Sequence, residues 1–224
     1  MIVAARNEAD RIAATIDSLA ATFPGARVFV ADDASADGTA EVAMSRGATV
    51  VSRRRPHGKG GNVTAAAEAA LSDPEAGGAG DPVVLLCDAD LGESAAALRA
   101  LVDVVEGGGA DLAIASFARR EGGGFGLALG YAQRAIRDLS GFEASAPISG
   151  QRAMRASLLR ELLPFAAGWG METGMTIDAV RGGHRVTEIE LPLAHRATGR
   201  TLGGFLHRAA QLRDFRRAAS ARRE

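Results

Sequence analysis

The sequence predicts a single α/β domain built on a parallel sheet. Two features carry this reading. Short apolar runs alternate with segments of helical period along most of the chain, the pattern of α/β proteins. The apolar runs also end in carboxylates, as at Asp32-Asp33 and Asp88-Ala89-Asp90. The 224 residues suit one domain.

The elements follow in order. Ile2 to Ala5 reads as a first strand, and Asp10 to Ala21 as a helix with Ile12, Ile16 and Leu19 on one face. Pro24-Gly25 is a turn. Val28 to Ala31 is a buried strand, and Asp37 is placed to cap a helix that runs to Arg46 and stops at Gly47. Thr49 to Val51 is a third strand. The basic loop 53–58 leads into Lys59-Gly60-Gly61-Asn62, then an Ala-rich helix to Leu71. Val83 to Cys87 is the most apolar strand. A helix from Ser94 to Val105 and a strand over Leu112 to Ala115 come next. Glu121 to Gly130 is glycine-rich and reads as a loop. A strand is expected around Ile148 to Met154, helices over Ser157 to Leu163 and Glu172 to Arg181, and an edge strand over Arg185 to Leu193. From Thr201 the chain reads as a basic amphipathic helix.

Composition narrows the function. Net charge is −1, so nucleic-acid binding by bulk charge is not expected. One cysteine rules out an internal disulfide and any multi-cysteine zinc site. No apolar run approaches the roughly 18 residues of a membrane span, and no signal-peptide pattern is visible at the start. A cytoplasmic protein is the expectation. Aromatics are only 4%, so the core must be aliphatic. Lys59 is the only lysine among many arginines, which draws attention to it.

Several glycine motifs fail. Gly124-Phe125-Gly126 has Leu129 where a dinucleotide fingerprint needs its third glycine, and Lys59 is followed by Gly60 where a P-loop needs Ser or Thr. There is no G-x-S-x-G nucleophile elbow.

Three sites hold. Asp88-Ala89-Asp90 ends the most apolar strand, where open parallel sheets bind ligands. Two carboxylates there, with no lysine nearby in sequence, suit a hard divalent cation that also bridges phosphate. Acids decorating a helix N-terminus are the competing reading. Asp32 and Asp33 sit on the same rim, able to accept from a base or ribose, or simply part of a capped turn. Lys59, among glycines at a helix start, is placed to neutralise a diphosphate, or is an exposed loop lysine.

The ordered set Ala4-Ala5-Arg6-Asn7-Glu8, Asp32-Asp33-Ala34-Ser35-Ala36-Asp37-Gly38-Thr39, Gly58-Lys59-Gly60 and Asp88-Ala89-Asp90-Leu91 resembles the family-2 glycosyltransferases of GT-A fold. Ser149-Gly150-Gln151-Arg152 and Gly168-Trp169-Gly170-Met171-Glu172 resemble the acceptor-side strand and helix start of that family. Two branches are similar: the glucosyl-3-phosphoglycerate synthases and the polyprenyl-phosphate sugar transferases. Ala34 replaces the usual glycine of the second motif, and Ala4 or Ala5 the usual proline of the first.

The resemblance implies a GT-A-like, mostly parallel sheet and a sugar transfer from a nucleoside-diphosphate sugar. The residues do not identify the acceptor; the two branches point to a phosphorylated small molecule or a polyprenyl phosphate as the classes to expect. Residues 1–116 would form the nucleotide-sugar half, 117–200 the acceptor side and 201–224 a basic helix. Ala4, Ala5, Arg6 and Glu8 would line the nucleoside, Asp32 or Asp33 would meet base or ribose, and Lys59 would lie near base or diphosphate. Asp90, helped by Asp88, would hold Mg²⁺ or Mn²⁺, with His195 completing the set. Glu172 would be an acceptor-side carboxylate, and Arg152 would contact substrate. The basic tail itself reads as a packed terminal helix with a solvated face; in the sharper alternative Arg196 and Arg200, close after His195, clamp a phosphate and the distal group, Arg213 to Arg223, meets anionic lipid at the inner membrane face. A non-catalytic sugar-nucleotide-binding homologue and a receiver-type signalling domain are the competing classes.

Overall fold

The computed structural model describes residues 1–52, 58–75, 80–117, 126–194 and 212–223. Among these residues seven strands form one sheet in the order β3-β2-β1-β4-β6-β5-β7. The strands are β1 (Ile2–Ala5), β2 (Phe29–Asp32), β3 (Thr49–Ser52), β4 (Val83–Asp88), β5 (Leu112–Phe117), β6 (Arg152–Arg155) and β7 (Val186–Leu191). β6 runs against both its neighbours, and all other pairings are parallel. The helices are α1 (Ile12–Thr22), α2 (Thr39–Ser45), α3 (Gly58–Ser72), α4 (Arg99–Glu106), α5 (Gly126–Ser140), α6 (Ala156–Leu162), α7 (Met171–Arg181) and α8 (212–220).

Strand alternation sends successive side chains to opposite faces. Val3, Ala5, Val30, Leu85, Cys87, Ala113 and Ala115 face α1 and α4. Ile2, Phe29, Ala31, Leu86, Leu112, Ile114 and Met154 face α3, α6 and α7. Both faces of the sheet are therefore covered, which is why its strands read as continuous apolar runs.

Four expectations are corrected. The end of the glycine-rich segment, Gly126 to Gly130, is not loop but the start of α5, whose later residues Ala132 and Ile136 are buried one turn apart; residues 118–125 lie outside the described set. The helix expected from Ser94 opens with 3₁₀ turns over Gly92–Leu98. Asp37 is not the cap of α2. That position is Gly38, at φ +87°, while the Asp37 carboxylate accepts from the Thr39 amide at 3.1 Å. Lys59 is no loop residue, because α3 begins at Gly58.

The first two loops latch together. The Asn7 amide donates to Ser35 Oγ at 2.9 Å, the Ala36 amide to Asn7 Oδ1 at 3.0 Å, and the Glu8 amide to Thr39 Oγ1 at 2.9 Å. Much of the residue pattern in these loops is thus accounted for by the latch. Ala34 adopts φ +56° within it. A left-handed alanine costs about 1–2 kcal/mol, and glycine gives back about 0.5–1 kcal/mol of that through unfolded-state entropy. Ala34→Gly should stabilise the fold by about 0.5–1 kcal/mol and raise Tm by ~2 °C. A lower Tm in a thermal melt would contradict this account of the turn.

Candidate active site

Parallel strands bring the C-terminal ends of β1, β2 and β4 to one rim. The register Ala5↔Asp32 and Ala4↔Asp88 fixes this. β6 runs the other way, so its first residues, and Ser149, Gly150 and Gln151 before them, arrive at the same rim.

Asp33 accepts from Asn62 Nδ2 of α3 and from Arg6 Nη1 at 3.3 Å. Asp32 is 3% exposed; its Oδ2 accepts from Ser52 Oγ at 3.0 Å, and its Oδ1 has no hydrogen-bond partner among the described residues. An unsatisfied buried carboxylate oxygen is costly and asks for a donor. Ala4 and Ala5 act through their carbonyls, which accept from the amides of Ala89 and Asp33, both at 3.0 Å. The Glu8 carbonyl caps α1 by accepting from Arg11 and Ile12.

The centre of the rim is an ion triad. Lys59 Nζ lies 2.5 Å from Asp88 Oδ1 and 2.9 Å from Glu172 Oε1. Burial alone would lower the Lys59 pKa, but Asp88 and Glu172 outweigh it and hold the ammonium above the ordinary lysine range. The cation that offsets the acids of the Asp88-Ala89-Asp90 turn is therefore partly Lys59, brought in from 29 residues away. Gln151 Nε2 donates to Asp88 Oδ2 at 2.8 Å. Gly150 floors the triad: a Cβ there would meet Lys59 Nζ at 2.5 Å and Asp88 Oδ2 at 2.8 Å. Gly60 is equally constrained, since its Cβ would fall 1.9 Å from the Ala166 carbonyl oxygen.

Glu172 is 2% exposed and Arg152 is fully buried. Neither presents itself to a substrate in this conformation. Arg152, expected to contact substrate, instead donates from Nε to the Ser149 carbonyl at 2.8 Å and from Nη1 to Thr176 Oγ1 at 3.0 Å. Burial lowers its pKa to about 10, with Glu172 and Glu188 opposing, so it stays charged at neutral pH.

Sequence reasoning missed Asn62, Gln151, Thr176 and Asp214. Their telling partners are distant in sequence: Asp33 for Asn62, Asp88 for Gln151, Arg152 for Thr176 and Trp169 for Asp214. His195, Arg196 and Arg200 lie outside the described residues.

The rim suits a divalent cation that brings oxygens of its own. Asp88 is engaged by Lys59 and Gln151, and Asp90 is half-buried just beyond β4. Among the described residues no three His, Cys, Asp or Glu side chains form a metal cage. Mg²⁺-like ions are commonly held by one or two carboxylates plus phosphate and water oxygens, so this donor set fits.

The apolar stripe of α8 is spent inside the protein. Phe215, 1% exposed, packs with Ala128, Ala132 and Trp169. The Trp169 amide donates to Asp214 Oδ2 at 3.3 Å. Arg222, read among the lipid-facing arginines, instead pairs with Asp178 of α7 at 2.5 Å, while Arg213, Arg216 and Arg217 face outward. Among the described residues, no helix is long and apolar enough to cross a membrane.

Comparison with known proteins agrees with this geometry. The Glycosyl transferase family 2 sequence model matches residues 1–163. An undecaprenyl-phosphate mannosyltransferase of Micrococcus luteus is 29% identical over 214 residues, which is 88% of this chain and 84% of that protein. Glucosyl-3-phosphoglycerate synthase from Mycobacterium tuberculosis, in complex with phosphoglyceric acid, superposes with a TM-score of 0.77 at 30% identity. The match covers 99% of this chain and 78% of that one. A structure of the same enzyme with Mn²⁺, UDP-glucose and phosphoglyceric acid gives a TM-score of 0.76 at 27% identity, with the same coverage. A receiver domain is thereby set aside. The chain belongs to Glycosyl transferase family 2 and is a nucleotide-sugar glycosyltransferase of GT-A fold.

Proposed function

We propose that this enzyme transfers a sugar to a phosphorylated acceptor, with Mg²⁺ or Mn²⁺ held at Asp90. The observation that carries this reading is the rim itself, where Asp32, Asp33, Lys59, Asp88 and Asp90 converge. The relatives support the acceptor class, since one is a mannosyltransferase of undecaprenyl phosphate and the other was solved with phosphoglyceric acid. Residues 1–116 supply the donor half and 117–200 the acceptor side.

Asp32 Oδ1 accepts a donor group of the base or ribose, with Asp33 steadied by Arg6 and Asn62. Asp90, helped by Asp88, would hold the divalent cation, which when bound would supply positive charge against the leaving diphosphate. Lys59 is placed to oppose the same charge, in a setting where fixed groups need no reorganisation. Glu172 serves this task by holding Lys59, rather than as a base on the acceptor hydroxyl. Arg196 and Arg200 follow β7 and suit phosphate recognition through the guanidinium fork, and His195 is a further metal ligand. Since the apolar side of α8 is buried, the described part of the tail would meet an anionic membrane through Arg213, Arg216, Arg217 and Arg223.

The test is a thermal-shift panel of nucleoside diphosphates and their sugars, with and without Mn²⁺, followed by transfer assays. Binding to the folded state raises Tm by mass action, by the equivalent of about 2.7 kcal/mol at a hundredfold excess over Kd. We expect one nucleotide to shift Tm only with metal present. Transfer should reach a phosphorylated acceptor and not its dephosphorylated counterpart. No shift with any nucleotide would overturn the reading. Acceptors in the two arms, a water-soluble phosphate and a polyprenyl phosphate in vesicles, separate the two branches.

A further inference from the structure

The ion triad is held from behind by a closed circuit of hydrogen bonds. Arg152 Nε donates to the Ser149 carbonyl at 2.8 Å, and Ser149 Oγ donates to Gln151 Oε1 at 3.0 Å. Gln151 Nε2 donates to Asp88 Oδ2 at 2.8 Å. Lys59 joins Asp88 to Glu172, as above. On the return path, Thr176 Oγ1 donates to the Glu172 carbonyl at 3.0 Å and accepts from Arg152 Nη1 at 3.0 Å. Ser149, Gln151, Arg152, Glu172 and Thr176 are all buried.

Arg152 is the member that packing does not explain. It makes no ion pair among the described residues, and its Nη2 has no hydrogen-bond partner there. Burying a guanidinium without a direct counter-charge is expensive. A methionine would fill comparable space without that cost. What methionine lacks is a rigid planar fork that donates in two directions at once. Those two directions lead to the two arms of the circuit: the turn that carries Gln151 to Asp88, and the helix that carries Glu172 to Lys59.

We propose that Arg152 is a positioning residue, which fixes the spacing between the β6 turn and α7 and thereby sets where Asp88 and Glu172 hold the Lys59 ammonium. The proposal rests on the glycosyl-transfer reading for its kinetic consequence but not for its structural one. Thr176 joins Arg152 to the helix that carries Glu172 to Lys59, so loosening Thr176 should be felt at Lys59.

The experiment uses the lone lysine. Labelling with ¹⁵N-lysine gives a single side-chain ammonium signal, which reports the circuit without any substrate. Thr176→Val removes one hydroxyl, Thr176→Ser keeps it, and Arg152→Met removes the fork. We expect Thr176→Val and Arg152→Met to shift and broaden the Lys59 signal. Both should also lower kcat at least tenfold, with the donor KM changed less than threefold. Thr176→Ser should restore signal and kcat. An unmoved Lys59 signal with wild-type kcat in folded Thr176→Val would overturn the proposal. If Arg152→Met does not fold, the Thr176 pair still decides. If the wild-type protein turns over no nucleotide sugar, the transfer reading fails, and the ammonium signal still judges the circuit.

Discussion

Lys59→Met is expected to cost both stability and activity, and a second substitution separates the two. Asp88 is about one-third exposed and can rehydrate when the ammonium is gone, whereas Glu172 is 2% exposed and cannot. Removing one partner of a buried pair leaves an uncompensated charge, a loss of about 3 kcal/mol. Asp88 and Glu172 would then also face each other as like charges. Activity should fall about 100- to 1,000-fold, the loss seen when one fixed donor to developing charge is removed. The double variant Lys59→Met/Glu172→Gln places a neutral amide in the buried position. It should recover most of the stability in a denaturant titration and none of the activity. Equal stability of the single and double variants would show that Glu172 is not stranded by loss of Lys59, and the triad would lose its energetic basis.

That triad also marks how far the sequence could be read. β1, β2, β4 and β5 were legible because apolar runs buried on both faces leave a continuous signal, β3 because of its short Thr-Val-Val run at the sheet edge, and the rim followed from parallel order. α5 was hidden because Gly126 and Gly130 gave its start the composition of a loop, although Ala132 and Ile136 carry its buried face. Lys59 stood out as the sole lysine, yet nothing in the rows joins it to Glu172, whose residue type equally suits an exposed acid in the first turn of α7. Gln151 lay inside a segment already singled out, between Gly150 and Arg152, and attracted no role because an amide does not titrate and carries no charge to pair with a cation. Its meaning comes from the antiparallel arrival of β6 beside β4, which period and composition do not encode. The arginine-rich tail was legible in part: over 212–223 it is the packed terminal helix with a solvated basic face that the sequence suggested. Its apolar stripe was visible, but the glycines that seat it were not recognisable as a seat. A Cβ on Gly170 would meet Ala218 Cβ at 2.8 Å, and one on Gly174 would meet Arg222 Cζ at 2.9 Å. Truncation after Leu212 would therefore remove Phe215, Ala218, Ala219 and Arg222 from the fold. Substitution of Arg213, Arg216 and Arg217 is the sounder way to probe lipid contact.

Asp90→Ala should abolish transfer while leaving the fold intact, and comparison with Asp88→Ala divides the acid pair. Asp90 is half-buried in the turn beyond β4, so its loss opens no core cavity. If Asp90 holds the divalent cation, Asp90→Ala should reduce Mn²⁺ binding beyond detection in a metal titration. It should lower turnover about a thousandfold, or ~4 kcal/mol of transition-state stabilisation. Asp88 has a different set of neighbours. Both its oxygens are engaged, one by Lys59 at 2.5 Å and one by Gln151 at 2.8 Å. Asp88→Ala should therefore resemble loss of Lys59 more than loss of metal, with weakened nucleoside-diphosphate affinity and a large fall in turnover, but measurable Mn²⁺ binding. It should also displace the Lys59 ammonium signal, which Asp90→Ala should leave in place. Two outcomes would contradict this division: normal metal-dependent turnover in Asp90→Ala, or identical loss of Mn²⁺ binding in both variants. The second would mean that Asp88 turns from Lys59 toward the metal when the donor binds, and that the triad describes only the enzyme at rest.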